Sequence, residues 1–227
     1  RDMTANLKTS MRTMFRGSGS LVLNGHAFIP ILQGRCVGGS TAINSAIAWR
    51  PPETVLHTWA TRYGLAPELT MHSLDPHFSS LERDLSVREV ADEVLGANNA
   101  LFGIAARKAG YEAHRIQRYD AGCTGSSGCL TGCREAKKLS MSITFVPRVL
   151  RAGGRLYASA RVERVVAKHG RAAEVHARLG DGSKHGPTLR VHARRGVLVA
   201  GSAVQTPGIL RRSGVRGGNS GSSASDP

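Results

Sequence analysis

The sequence predicts an α/β chain with α+β elements. Apolar residues recur at helical spacing through most of the first 150 positions. Beyond residue 156 the pattern changes to period-two alternation. A short unbroken apolar run, Gly196-Val197-Leu198-Val199-Ala200, then reads as a fully buried strand of the kind found in parallel sheets. The 227 residues suffice for one large domain or two small ones. Lys and Arg number 31 against 16 Asp and Glu, a formal net charge of +15. Charge of that size raises affinity for nucleic acid, anionic surfaces or acidic substrates. The positive residues are dispersed, and aromatics make up only 5% of the chain, so a stacking groove for single strands is not indicated. No stretch approaches the roughly 20 apolar residues of a membrane helix.

Residues 2–15 read as a helix, capped by Asp2 or Thr4, with Leu7, Met11, Met14 and Phe15 on one face. Gly17-Ser18-Gly19-Ser20 ends it. The apolar run Phe28-Ile29-Pro30-Ile31-Leu32 leads into Gly34-Arg35-Cys36-Val37-Gly38-Gly39-Ser40-Thr41-Ala42-Ile43-Asn44. Paired glycines let a bulky, charged ligand approach the backbone closely. Ser40 and Thr41 place hydroxyls and free N–H groups at the expected start of a helix through Ser45-Ala46-Ile47-Ala48-Trp49, where anions bind. The segment is not an ATP-type P-loop, because Ser40 stands where that motif needs its lysine. A glycine-rich turn capping a helix fits the same spacing.

Pro51-Pro52-Glu53 opens the next helix, with Val55, Leu56, Trp59 and Tyr63 as its apolar stripe and Gly64 as its stop. Trp59 is expected to pack in a core rather than line a pocket. Further helices are expected from Ser73-Leu74-Asp75 through Leu85 and from Ala91 to Ala109, stopped by Gly110, which makes the middle of the chain all-helical. Cys123, Cys129 and Cys133 follow in a Gly/Ser-rich loop, far from Cys36. Their spacing matches no common zinc or ferredoxin pattern. A plain structural loop fits best; a disulfide, if the protein is exported, and a metal site are the alternatives. Ser142 to Leu150 is expected to be helical, with a break or kink near Pro147.

Strands are expected from Leu156-Tyr157-Ala158, over Arg161–Ala167, and over two alternating runs. In the first run Val175, Ala177 and Leu179 alternate with Glu174, His176 and Arg178; in the second, Leu189, Val191 and Ala193 alternate with Arg190, His192 and Arg194. Asp181-Gly182 is a hairpin signal between them. The result is a three-stranded antiparallel meander with one wet, basic face carrying solvated His176 and His192. The 196–200 strand runs into Gly201-Ser202-Ala203 and a helix through Ile209 and Leu210, again an anion-binding geometry. Residues 217–227 are Gly/Ser-rich and expected to be disordered.

The segment from Gly34 to Asn44, followed by Arg50-Pro51, resembles the first signature of the glucose–methanol–choline (GMC) oxidoreductases, a flavoenzyme family. Ser202 through Val215 resembles the second signature, with Arg216 where a glycine is usual. The cysteine loop with Lys137-Lys138-Leu139-Ser140 resembles that of bacterial long-chain-alcohol-oxidase-like members. The resemblance implies a partial FAD/NAD(P)-binding Rossmann-like domain with the antiparallel meander and a helical substrate-domain insertion. It implies an FAD-binding segment at 1–50, a helical cap with the cysteine loop at 51–150, and a return to the FAD domain at 151–216 before the tail at 217–227. Gly34, Arg35, Gly38, Gly39, Ser40, Thr41, Asn44, Val162, Ala200 and Gly201 are its implied cofactor contacts.

The implied reaction oxidises the CH–OH group of a small-molecule alcohol, with hydride passing to FAD. No catalytic residue and no metal ligand are assigned. The family's opening Gly-x-Gly-x-x-Gly does not occur, and none of the 9 histidines has the context of its catalytic base. The chain, which begins at Arg1, is therefore expected to be a fragment truncated at both ends, with weak or no FAD retention and no activity alone. Cytoplasmic residence is favoured, with a signal segment left open. The alternative function is a basic module that binds nucleic acid or another polyanion through Arg178, Arg190 and Arg194, although no nucleic-acid partner is expected from the dispersed charge.

Overall fold

The computed structural model describes residues 6–25, 27–64, 68–180 and 185–215. The chain divides into two compact units, residues 1–155 and 156–227.

In the first unit, α1 spans Leu7–Met14 and is capped by Asn6, whose side chain accepts from Thr9 N at 3.1 Å. The expected caps Asp2 and Thr4 lie outside the described residues. Met14 and Phe15 are buried with Ala42 and Ile43, and Met11 and Cys36 pack against them. Leu7 stays exposed. This small core fastens the end of α1 to the glycine-rich segment. A bridge between Phe15 and Gly34 reinforces it, with Arg16 N donating to Gln33 O at 2.8 Å and Arg35 N to Met14 O at 2.6 Å. Between the two, β1 (Leu21–Asn24) and β2 (Phe28–Ile31) form an antiparallel hairpin.

α2 (Glu53–Tyr63) starts after Pro52 and ends at Gly64 in the left-handed region, as its sequence predicts. α3 (Met71–Asp84) begins two residues before Ser73, because Thr70 and Ser73 cap it reciprocally. Arg50 ties the chain before α2 to α3. Its Nε and Nη2 each donate at 2.6 Å to one oxygen of Glu82, and Nη1 reaches Asp75. The guanidinium holds the Glu82 carboxyl below its usual range.

The middle of the chain is not all helix. β3 (Val87–Glu89) pairs antiparallel with β4 (Gln117–Tyr119). The helix expected over 91–109 is two, α4 (Asp92–Leu95) and α5 (Ala97–Lys108). They break at Gly96, where φ of 78° and ψ of 147° leave the helical region. α6 (Phe145–Arg151) starts three residues after Ser142. Pro147 falls in its first turn, where a missing amide removes no helical hydrogen bond, so no break is needed.

In the second unit β5 (Ala160–Lys168), β6 (Arg171–Leu179) and β7 (Thr188–His192) form the predicted antiparallel meander in the order β5-β6-β7. The expected strand at Leu156–Ala158 is not formed; pairing begins at Ala160. Asp181-Gly182 lies outside the described residues. The face expected to be wet is partly closed. β6 is the central strand, and Val166 and His192 stand opposite Glu174. Lys168 Nζ donates to Glu174 Oε1 at 2.6 Å, and His176 Nε2 lies 3.0 Å from Oε2. The His176 side chain is therefore only 13% exposed, which corrects the expectation of a solvated histidine; His192 remains exposed. Arg178 of the basic face is paired with Glu163 at 2.8 Å.

The contacts from Lys168 and His176 hold the Glu174 carboxyl down to about 2. Its folded value lies below the ordinary one, so its stabilising contribution is fully present above the ordinary carboxylate range. That contribution is lost as pH falls toward 2. A carbon-detected NMR titration should give Glu174 a midpoint near 2; an ordinary midpoint would mean that the cluster does not form in solution.

Residues 196–200 are not a strand. An apolar run becomes a sheet's interior strand only with neighbours on its edges and faces. Here Leu198 is 94% exposed, and every strand pair among the described residues is antiparallel. α7 (Ser202–Arg212) follows Gly201 as expected. It packs on β5, where Val165 N donates to Ser213 Oγ at 2.8 Å and Arg212 Nε to Glu163 O at 2.9 Å.

Candidate functional site

The glycines at 34, 38 and 39 differ in what they do. A Cβ on Gly34 would stand 2.6 Å from the Gly39 carbonyl carbon and oxygen, so the two arms of the loop touch there. Gly34 N donates to Ser40 Oγ at 3.0 Å across the same contact. Gly38 has φ of 90°, and a Cβ on it would meet Ser142 N at 2.8 Å. Gly39 has φ of 57° but faces open space. Two of the three therefore serve close packing, and the third leaves bare backbone toward solvent. Thr41 Oγ1 donates to Gly38 O at 2.6 Å and accepts from Met141 N at 3.0 Å, so its hydroxyl is internal to the loop. Arg35, Ser40 and Asn44 are exposed.

The helix expected through 45–49 does not exist. Gly39–Ala42 makes one short 3-10 turn, after which the chain turns into pairing with β4. Tyr119 N donates to Ala46 O at 3.0 Å and Ala48 N to Gln117 O at 2.9 Å. Asn44 is the cause: its Oδ1 accepts from Ala46 N at 3.0 Å, a local turn that competes with helix. Ala46 is left with φ of 60°. This loop accordingly offers an anion no helix N-terminus.

What shapes the loop from behind is Lys138, which is 2% exposed. Its ammonium donates to Ala42 O at 2.7 Å, Asn44 O at 2.8 Å and Cys129 O at 2.8 Å. Burial pushes its pKa down, while the nearby Cys129 and Cys133 favour the charged form. Tyr119 OH donates to Asn44 Oδ1 and lies 3.3 Å from Thr41 O; burial pushes its phenol up. Neither residue stands out in the sequence. Periodicity does not mark an irregular segment, and a lysine there ordinarily reads as solvated.

The cysteine loop lies against this brace. Cys123, Cys129 and Cys133 line a cavity of about 120 Å³ together with Arg118, Asp120 and Lys138. All four cysteines are free thiols. Among the described residues no cluster of His, Cys, Asp or Glu has a geometry that could hold a metal ion. Asp120 orders the loop, accepting from Arg88 Nη2, Gly122 N and Cys123 N at 3.0 to 3.1 Å. The remaining sequence-predicted contacts belong to the second unit. Val162 is on β5, opposite Ala177, while Ala200 and Gly201 lead directly into α7.

The loop thus combines two packed glycines, one bare backbone face and a buried cation behind it. The chain matches the family model described as GMC oxidoreductase over residues 11–222, and it belongs to that family. It is 37% identical over 207 residues to uncharacterized GMC-type oxidoreductases of two Mycobacterium tuberculosis strains. Those matches take in 90% of this chain and 32% of theirs. A GMC-type oxidoreductase of Sinorhizobium fredii is 33% identical over 202 residues, covering 89% of this chain and 39% of its own. The chain thus spans about a third of the length of these relatives. Among solved structures, an FAD-dependent oxidoreductase from Chaetomium thermophilum superposes with a TM-score of 0.64 at 15% identity, covering 90% of this chain and 39% of that one.

Proposed function

We propose that residues 34–44 form part of an FAD cradle in an oxidoreductase that takes hydride from the CH–OH group of an alcohol. The observation that carries this is Gly39. Its backbone is bare toward open space, while Gly34 and Gly38 lock the loop from within. A flat, bulky cofactor needs such an approach, and a Cβ at Gly39 would obstruct it. The side chains present fit the group. Exposed Arg35 offers charge to a pyrophosphate, and Ser40 and Asn44 offer hydrogen-bonding groups beside Gly39. Lys138 keeps a positive charge behind the loop. Val162, Ala200 and Gly201, in the second unit, are the further contacts that membership of the family implies. Bound FAD would supply the hydride acceptor, which no amino-acid side chain can be. Tyr119 and Lys138 are both committed to backbone and amide partners, so neither is assigned as the base for the hydroxyl proton. The likeness of the cysteine loop to long-chain-alcohol-oxidase-like members favours a long-chain alcohol.

Titration of the 227-residue chain with FAD, followed by flavin fluorescence, tests the cradle. Weak, saturable quenching at one site per chain is expected. Gly39→Val should weaken it about ten-fold, equivalent to roughly 1.4 kcal/mol. A long-chain alcohol should not bleach the flavin in this chain. Equal quenching by the variant would remove Gly39 from the cradle.

A further inference from the structure

The cysteine turn holds chemistry that the flavin reading does not use. Cys129 is partly exposed at the 120 Å³ cavity and Cys133 is buried beside it. Arg118 Nη2 donates to Cys129 Sγ at 3.1 Å, and Lys138 N donates to Cys133 Sγ at 3.2 Å. The backbone wraps the two cysteines into one turn. Cys133 N donates to Gly128 O at 3.1 Å and Gly132 N to Cys129 O at 3.4 Å. Gly132, at φ of 104°, turns the chain back on itself, so that Cys129 and Cys133 belong to one closed turn. A disulfide needs Cα atoms roughly 4.4–6.8 Å apart, which a closed turn of this length permits. Lys138 Nζ meanwhile joins Cys129 O to Ala42 O and Asn44 O.

We propose that Cys129 and Cys133 are a peroxide-responsive dithiol, and that their oxidation to a disulfide loosens the hold of Lys138 on the 42–44 segment. The oxidant is a hydroperoxide. The Cys129 sulfur attacks the outer peroxide oxygen; an S–O bond forms, the O–O bond breaks, and water or an alcohol leaves carrying the thiol proton. Arg118 is placed to stabilise negative charge on the attacking sulfur. Cys133 sulfur then attacks the sulfenic sulfur, an S–S bond forms, the S–O bond breaks, and water leaves with the second thiol proton. Two thiols are oxidised by two electrons and one peroxide is reduced. Closing the disulfide draws the Cys129 backbone toward Cys133, which weakens the three-way link at Cys129 O. None of this depends on FAD.

The test is to treat the 227-residue chain with one equivalent of hydrogen peroxide, alkylate the remaining thiols, and map them by fragmentation mass spectrometry. The expected product is a Cys129–Cys133 disulfide, two hydrogen atoms lighter, with Cys36 and Cys123 alkylated. Hydrogen exchange at Ile43 and Ala46 should speed up about ten-fold. A dithiol reductant should reverse both changes. Cys123→Ser should behave as the parent, and Cys129→Ser should form no disulfide. Should Cys129→Ser not fold, the mapping of the parent chain decides alone. Full alkylation of Cys129 and Cys133 after peroxide, a disulfide to Cys123 instead, or unchanged exchange in the disulfide form would each overturn the proposal.

Discussion

Lys138→Met is expected to destabilise the chain by about 3 kcal/mol. The substitution leaves the carbonyls of Ala42, Asn44 and Cys129 without their shared donor. Cys129 O keeps Gly132 N as a donor, so the cost falls on Ala42 O and Asn44 O, at roughly 1–3 kcal/mol for a buried acceptor left unpaired. Part of that is offset, because the ammonium no longer has to be held away from water. Arginine should not rescue the site. Its planar fork cannot place one small cation among three carbonyls in a pocket shaped for an ammonium. Lys137→Met, one residue away and partly exposed, should stay within about 0.5 kcal/mol of the parent. Urea unfolding of the three variants decides: similar midpoints for the Lys138 and Lys137 changes would show that the buried ammonium has no special place in the fold.

Gly34→Ala should cost about 1–3 kcal/mol, the range for forcing atoms into a packed site. What the new methyl meets at 2.6 Å is backbone of Gly39, not the end of a flexible side chain, so relief requires the loop arms to part. Gly39→Ala is the informative contrast. It meets nothing, and costs only its left-handed φ of 57°, about 1 kcal/mol. In urea unfolding the Gly34 variant should have the lower midpoint. The reverse order would mean that the arms do not touch in solution.

Much of the architecture could be read from local pattern. α2 ended at Gly64 because glycine alone relaxes into the left-handed cap, and the meander followed from alternation that only a pleated ribbon satisfies. Local pattern misleads where distant segments decide. Ser45–Trp49 has a composition that permits helix, but Asn44 and β4 claim its amides and carbonyls. Val197–Ala200 has the composition of an interior strand, but lacks strand partners among the described residues. At the site, the glycines were legible by spacing, whereas Lys138 and Tyr119 were not. Their role lies in meeting carbonyls and an amide from far upstream, and nothing in a one-dimensional pattern encodes that.

The bonds that brace the glycine loop also set its place in the order of folding. Tyr119 reaches Asn44 across 75 residues, Lys138 reaches Ala42 across 96, and Met141 reaches Thr41 across 100. Loop-closure entropy must be overcome before such distant pairs contribute anything. On the ribosome, the 34–44 segment therefore emerges long before the residues that shape it, and it has to wait for about a hundred more to be added, some 5–20 s at roughly 5–20 residues per second. During that interval Phe28, Ile29 and Leu32, exposed even in the finished fold, stand beside an unformed loop. A nascent-chain protease digest should find the loop cleavable until synthesis passes residue 141, and protected only afterwards.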